Sequence, residues 1–244
     1  MNIFEKALYY LAVPKCVGCG ERLSIEDKVF CPKCRKLHIA HKIRNCAFCG
    51  NVLSKCACTN DYLKSHYVKK LAKVFRYIIR DDRDIISNKL IYSLKRDNRR
   101  DVVAFLADEL SEAIRASIKI DNTYIVTAVP RRKESITKYG YDHARLLAIA
   151  IAKRIGLEYV DLLRSTAEEA QKKMVGGDRI KNATFDYRRK TSSIIGKRVI
   201  IIDDIVTTGA SMGACAALIK GLGAKEIFGA SVAIAYKDKP VFPS

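Results

Sequence analysis

Two adjacent carboxylates, Asp203 and Asp204, stand between an apolar run, Val199 to Ile202, and a segment rich in hydroxyls and glycine that ends at Ser211. The unbroken apolar run reads as a buried parallel strand. The segment after the pair reads as a loop opening a helix, with Ser211 as its N-cap. Backbone N–H groups in such a loop converge on one spot, where the positive end of the helix dipole also lies. That spot suits a phosphate. The carboxylates sit beside it at the C-terminal end of the strand, where open α/β sheets bind ligands. They could accept hydrogen bonds from two vicinal hydroxyls, or act through a Mg2+ ion. A phosphate on one side and a diol on the other describe a ribose 5-phosphate.

The run Ile201-Ile202-Asp203-Asp204-Ile205-Val206-Thr207-Thr208-Gly209 resembles the PRPP-binding motif of type I phosphoribosyltransferases. The resemblance implies that Asp203 and Asp204 are the catalytic pair on the ribose hydroxyls. It also implies that Thr207, Thr208, Gly209, Ala210 and Ser211 hold the 5-phosphate, with Mg2+ accompanying PRPP. The alternative is a Mg2+–phosphate site of another α/β family that ends a strand in Asp-Asp.

Eight of the nine cysteines precede residue 59, as Cys16-x2-Cys19, Cys31-x2-Cys34, Cys46-x2-Cys49 and Cys56-x-Cys58. Close thiol pairs are how zinc ribbons are built, two knuckles making one tetrahedral site. Gly20 and Gly50 follow the second cysteine of a pair, where a turn with positive φ is wanted. Sequential pairing gives one Zn2+ to Cys16, Cys19, Cys31 and Cys34, and another to Cys46, Cys49, Cys56 and Cys58. A crossed pairing stays open, and a disulfide framework would need an oxidising compartment. Both sites are structural, since four thiolates leave no open position. His38, His41 and His66 read as surface residues, one of which could replace Cys58 as a ligand, and Cys215 reads as core.

A chain of 244 residues can bury a real core in one domain or two. No apolar stretch reaches the roughly 20 residues of a membrane span. Residues 1–13 lack a signal-peptide layout and read as a short amphipathic helix, so a cytoplasmic protein without membrane insertion is expected. The net charge of +19 is positive in residues 1–64, 65–120 and 121–244 alike, so it is no detachable tail. Such a field attracts polyanions, nucleic acid first, against the alternative of a merely solvated basic surface.

Lys73 to Ile79 alternates in part and reads as a strand; Ile85 to Lys95 and Asp101 to Ser117 keep helical spacing. From Asp121 the pattern becomes α/β: a strand at Tyr124 to Val129, then a helix along Ala144 to Ile155 capped by Asp142 and stopped by Gly156. The strand at 199–203 follows, then a helix over 211–221 and a strand at Ile227 to Ala233. This alternation implies a parallel sheet with right-handed crossovers. Between them lies a basic loop with Arg131, Arg132 and Lys133, placed to neutralise a departing pyrophosphate, or simply solvated.

A zinc-ribbon head (1–64) on a phosphoribosyltransferase-like core (65–244) resembles the ComF family of competence proteins over nearly the whole chain. Tyr92-Ser93-Leu94-Lys95, Val129-Pro130 with its basic residues, and Gln171, Arg179, Asn182 and Phe185 match family segments. Tyr139-Gly140-Tyr141-Asp142-His143 departs from the family's Arg-Gly-Phe-Asn-Gln, keeping only the glycine. The resemblance implies an α/β phosphoribosyltransferase fold preceded by a double zinc ribbon. It implies a role handling single-stranded DNA in natural competence, beside a competence helicase, without an assured enzyme activity. Residues 164–190, with Gln171, Arg179 and Asn182, would form the mobile loop, tipped by Gly176 and Gly177. The competing reading is an active phosphoribosyltransferase that joins ribose 5-phosphate from Mg-PRPP to a base-like acceptor, for which Tyr236 is the one stacking candidate after the last strand. A PRPP-sensing regulator is a third, disfavoured by the lack of a helix-turn-helix pattern.

Overall fold

The computed structural model describes residues 14–42, 44–46, 49–78, 85–97, 99–166, 185–188 and 194–235. Helix α1 (Pro32–Lys42) follows the first cysteine knuckle, and α2 (Asp61–Ser65) follows the second cluster. Strand β1 (Val68–Tyr77) leads to α3 (Ile86–Arg96) and α4 (Arg100–Ser117), then β2 (Tyr124–Ala128), α5 (Lys133–Tyr139) and α6 (His143–Ile155). After β3 (Glu158–Tyr159) come β4 (Leu163–Ser165), β5 (Phe185–Tyr187), β6 (Arg198–Val206), α7 (Ala210–Gly221) and β7 (Glu226–Ala235).

Five strands form one sheet in the order β1-β7-β6-β2-β3, and every pairing in it is parallel. Each face of β6 is committed by alternation. Ile200 and Ile202 pack with Leu106, Leu110, Leu147 and Ile151 of α4 and α6, while Val199 and Ile201 pack with Met212, Cys215 and Ile219 of α7. All four β6 residues are fully buried, each side chain contributing about 1.5–3 kcal/mol of hydrophobic stabilisation. β4 and β5 pair antiparallel as a separate ribbon, the base of the segment read as a mobile loop. Gln171, Arg179 and Asn182, with Gly176, Gly177 and Tyr236, lie outside the described residues.

The cysteine-bearing segment shares its apolar residues with the sheet. Leu23, Val29 and Phe30 of the first ribbon join the core of α4 and α6, and Leu53 of the second joins that of α7. Both knuckles turn alike: Gly20 N–H donates to Cys16 O at 2.9 Å and Gly50 N–H to Cys46 O at 3.0 Å. Gly20 at φ +80° and Gly50 at φ +69° adopt the left-handed conformation expected of them.

Two expectations need correction here, and one helix went unread. The first strand begins at Val68, not Lys73, because the parallel partner β7 extends the pairing back to Ile227. Lys73 points inward and is fully buried. His38 is also buried, ringed by Phe30, Phe75 and Phe105, with Nε2 3.7 Å from Glu109 Oε2. Its helix turns its large apolar residues, Leu37 and Ile39, outward, so apolar spacing does not mark the inward face. The segment after the basic loop is helical (α5) yet buries no residue, which is why hydrophobic spacing gave no sign of it.

Candidate active site

The sheet order sets where a ligand can bind. The chain leaves β6 for β7 on one side and leaves β2 for β3 on the other, so the loops after β6 and β2 diverge. Such a switch point leaves a crevice at the carboxyl edge. Ala128 ends β2 opposite Ile202, and β6 runs on through Asp203 and Asp204 to Val206. The pair therefore faces an open crevice of about 420 Å3, lined also by Tyr77, Lys95, Arg131, Thr207 and Ser211.

Both carboxylates are buried, and their environments differ. Asp204 meets three basic side chains: Arg131 through a short ion pair, Lys95 Nζ at 3.1 Å and His143 Nε2 at 3.2 Å. Burial works to raise its carboxyl, but Arg131, then His143 and Lys95, hold it well below the usual carboxylate range. Among the described residues Asp203 meets one basic side chain, Arg131 at 3.9 Å, and accepts from Asp204 N–H at 2.9 Å. Burial first, then the charge of Asp204, pushes Asp203 upward. One carboxyl is thus locked in an ionic cluster, and its neighbour is held closer to neutrality.

Three elements bring basic side chains to the β6 carboxylates. Lys95 comes from the last turn of α3, Arg131 from the loop after β2, and His143 from the start of α6. Asp142 caps α6 by accepting from Arg145 N–H at 3.0 Å, as expected, which places His143 at the first helical position. Tyr141 Oη donates to Leu94 O at 2.7 Å and ties the start of α6 to the end of α3. Tyr141 and His143 belong to the segment that departs from the family pattern, and both serve the site. Arg131 Nε and His143 Nδ1 are buried without a hydrogen-bond partner among the described residues.

The turn expected to hold a phosphate follows the pair directly. Gly209 adopts φ +88° and is itself the N-cap of α7. Ser211 thus lies within the first turn, and the N-cap expectation moves two residues back because only glycine takes this left-handed turn without strain. Thr208 Oγ1 accepts from Ala210 N–H at 3.3 Å. A Cβ on Gly209 would lie 2.6 Å from Leu63 Cγ. Gly209→Ala is therefore expected to cost about 2–4 kcal/mol in denaturant unfolding, from αL strain and overpacking together.

Of the remaining predicted residues, Arg132 borders the same crevice. Lys133 opens α5 and lines an adjoining cavity with Arg145, Arg164 and Arg188. Cys215 is buried in the core, its thiol pushed up by burial and then by Asp203.

The cysteines assemble as the sequential pairing requires: Cys16, Cys19, Cys31 and Cys34 in one group, Cys46, Cys49, Cys56 and Cys58 in the other, each with sulfurs within 4.8 Å of one another. Ideal tetrahedral thiolate coordination of Zn2+ sets sulfurs about 3.8 Å apart. Cys19–Cys31 at 3.8 Å, Cys58–Cys49 at 3.6 Å and Cys46–Cys58 at 3.3 Å approach that spacing. The donor set fits a structural zinc in each. Lys73 was missed: its Nζ lies 3.2 Å from Cys56 Sγ and donates to Cys58 O at 2.7 Å. A buried ammonium beside four thiolates offsets their charge, a role that the pattern of β1 residues did not signal.

A family model for the phosphoribosyl transferase domain matches residues 142–241. Competence protein ComFC of Streptococcus pneumoniae (strain ATCC BAA-255 / R6) is 23% identical over 216 residues, 87% of this chain and 82% of that protein. Among solved structures, adenine phosphoribosyltransferase from Saccharomyces cerevisiae aligns over 61% of this chain and 69% of its own at 22% identity, TM-score 0.34. That from Leishmania tarentolae aligns over 57% and 73% at 15% identity, TM-score 0.36. The chain thus carries a phosphoribosyl transferase domain on a five-stranded parallel sheet with two four-cysteine clusters ahead of it, and over most of its length it is similar to ComFC.

Proposed function

We propose that the crevice at the end of β6 binds a ribose 5-phosphate ligand of the PRPP type, with Mg2+, within a zinc-stabilised protein that handles single-stranded DNA in the cytoplasm. The observation that carries the sugar-phosphate reading is the buried Asp203–Asp204 pair at the switch point, directly ahead of the Thr207–Ser211 cradle. In this reading Thr207, Thr208, Gly209, Ala210 and Ser211 receive the phosphate, and Asp203 accepts from a ribose hydroxyl. Arg132 and Lys133 face the anionic end of the ligand, and Gln171, Arg179 and Asn182 belong to the segment closing over it. The ribbon segment 1–64 braces the core, 65–244, through its two Zn2+ sites.

Turnover is the second reading, with transfer of ribose 5-phosphate to a base-like acceptor. Arg131 bears on the choice. A residue meant to stabilise departing pyrophosphate should be free in the resting protein, whereas Arg131 is bound to Asp204. Binding without rapid transfer fits that commitment better. Pyrophosphate release from Mg-PRPP against a panel of bases tests it: binding with no release is expected, and release at about 1 s−1 or faster, an ordinary enzymatic rate, would restore the transferase reading.

The polyanion reading rests on the +19 charge spread over the chain and on the ComFC likeness. Affinity for single-stranded DNA is expected to fall with salt at a log–log slope of about −0.7 per phosphate contacted. A flat response in fluorescence anisotropy between 50 and 200 mM salt, the usual range for this test, would remove it. A helicase partner of the competence type is the expected neighbour in that pathway, and co-purification with tagged protein checks it.

A further inference from the structure

The second cysteine cluster and the anion cradle are joined by a short covalent and hydrogen-bonded path. Lys73 Nζ donates to Cys58 O at 2.7 Å and to Cys56 O at 3.4 Å, pegging the backbone that leaves the cluster. Two residues on, Asn60 caps α2. Its Oδ1 accepts from Leu63 N–H at 2.9 Å while its Nδ2 donates to Thr208 O at 3.1 Å. Helix α2 then seats itself on the cradle. Leu63 is fully buried in the space that a side chain at Gly209 would take, and Tyr62 and His66, stacked with ring centroids 4.1 Å apart, cover Gly213 of α7.

The bond to Thr208 O matters because of what shares its peptide plane. In a trans peptide the carbonyl and the following N–H point in opposite directions. Fixing Thr208 O toward Asn60 therefore turns Gly209 N–H away from Asn60. Asn60 lies outside the lining of the crevice that holds Asp203, Thr207 and Ser211. A peptide just before a glycine at positive φ can flip at low cost, since glycine tolerates both signs of φ. Only one orientation offers the N–H rather than the C=O to an anion.

We propose that Asn60 is a positioning residue for the cradle: it locks the Thr208–Gly209 peptide in the anion-binding orientation, and the second cysteine cluster with Lys73 holds Asn60 in place. The claim about peptide orientation stands on the ligand-free geometry, and its consequence for affinity rests on the ribose-phosphate reading above.

The test compares wild type with Asn60→Asp, which keeps the acceptor for Leu63 N–H and loses the donor to Thr208 O. Asn60→Ser, a shorter cap that cannot span the gap, is the second variant. In ligand-free protein, amide hydrogen exchange at Ala210, whose N–H donates to Thr208 Oγ1, is expected to quicken about 10-fold as Thr208 loosens, the scale of one lost hydrogen bond. Exchange along β6 and the metal content should stay as in wild type. The dissociation constant for ribose 5-phosphate with Mg2+ should rise by a similar factor. Wild-type exchange at Ala210 in both variants would overturn the proposal, as would loss of zinc or of cooperative unfolding in both, which would make Asn60 a structural cap only. Should wild type bind no ribose 5-phosphate, the ribose-phosphate reading fails alone, and the exchange comparison still decides the role of Asn60.

Discussion

Asp204→Asn is expected to destabilise the protein by about 3–5 kcal/mol, the scale of breaking one partner out of a buried ion pair, and to abolish ribose-phosphate binding. The reason is the cluster it neutralises: Arg131, Lys95 and His143 all converge on that one carboxylate, and Asp203 offers only a 3.9 Å contact in its place. For a chain of this size the melting temperature should fall by about 10 °C. Pairing the change with Arg131→Met should recover much of the stability, because a removed cation no longer needs its partner, while binding stays lost. An unchanged melting temperature in Asp204→Asn would show that the cluster is solvated rather than buried.

The two carboxyls should respond to pH with opposite signs. Asp204, depressed in the folded state, contributes stability that is present above the unfolded value of about 4 and lost as pH falls below it. Asp203, raised in the folded state to about 8, holds a proton that the unfolded chain has released, so it takes stability away as pH rises from about 4 to 8. Asp203→Asn should therefore raise the melting temperature at neutral pH and flatten its decline across that window. Differential scanning calorimetry from pH 4 to 9 would check both variants; a decline that persists in Asp203→Asn assigns it elsewhere.

Removal of zinc is the second large effect. Structural thiolate sites bind Zn2+ with about 10–16 kcal/mol, and here the ribbons are built into the main core. Gly18 shows how tightly: a Cβ there would lie 2.5 Å from both Cys34 Sγ and Ile86 Cδ1, so the first knuckle is wedged against α3. Leu53 and Leu63, on either side of the second cluster's last cysteines, are buried beside α7. Chelation should therefore release about two Zn2+ per chain and bring down the sheet's β1 edge with the ribbons, seen as a large loss of melting temperature and accelerated exchange along Leu71–Phe75. Release of both ions with β1 exchange unchanged would contradict that coupling.

Much of this was legible in the residues because the signals are local. The apolar run into Asp203-Asp204 gave the strand, which runs on past the pair to Val206, the cysteine spacings favoured the pairing that assembles, and Asp142 and Gly156 bounded α6 as capping chemistry requires. What was hidden is long-range. Lys95, Arg131 and His143 come from three separate elements, and nothing in their spacing shows that they meet at one carboxylate. Tyr92-Ser93-Leu94-Lys95 matched a family segment without showing its chemistry, which comes from α3 aiming Lys95 at Asp204. The Tyr139–His143 segment, which departs from the family pattern, supplies a histidine to the same cluster. Lys73 and His38 were hidden differently: each is a polar residue buried by partners distant in sequence, Cys58 for one and Glu109 for the other. Composition and periodicity assign such residues to the surface.

The central claim is that a phosphorylated pentose docks where β6 meets the Thr207–Ser211 turn. Titration of 15N-labelled protein with ribose 5-phosphate and Mg2+ tests it most directly. Saturable amide shifts at Thr207, Thr208, Gly209, Ala210 and Ser211, absent in Asp204→Asn, are the expected result. Amide resonances of that turn that stay fixed while ligand is in large excess would contradict it.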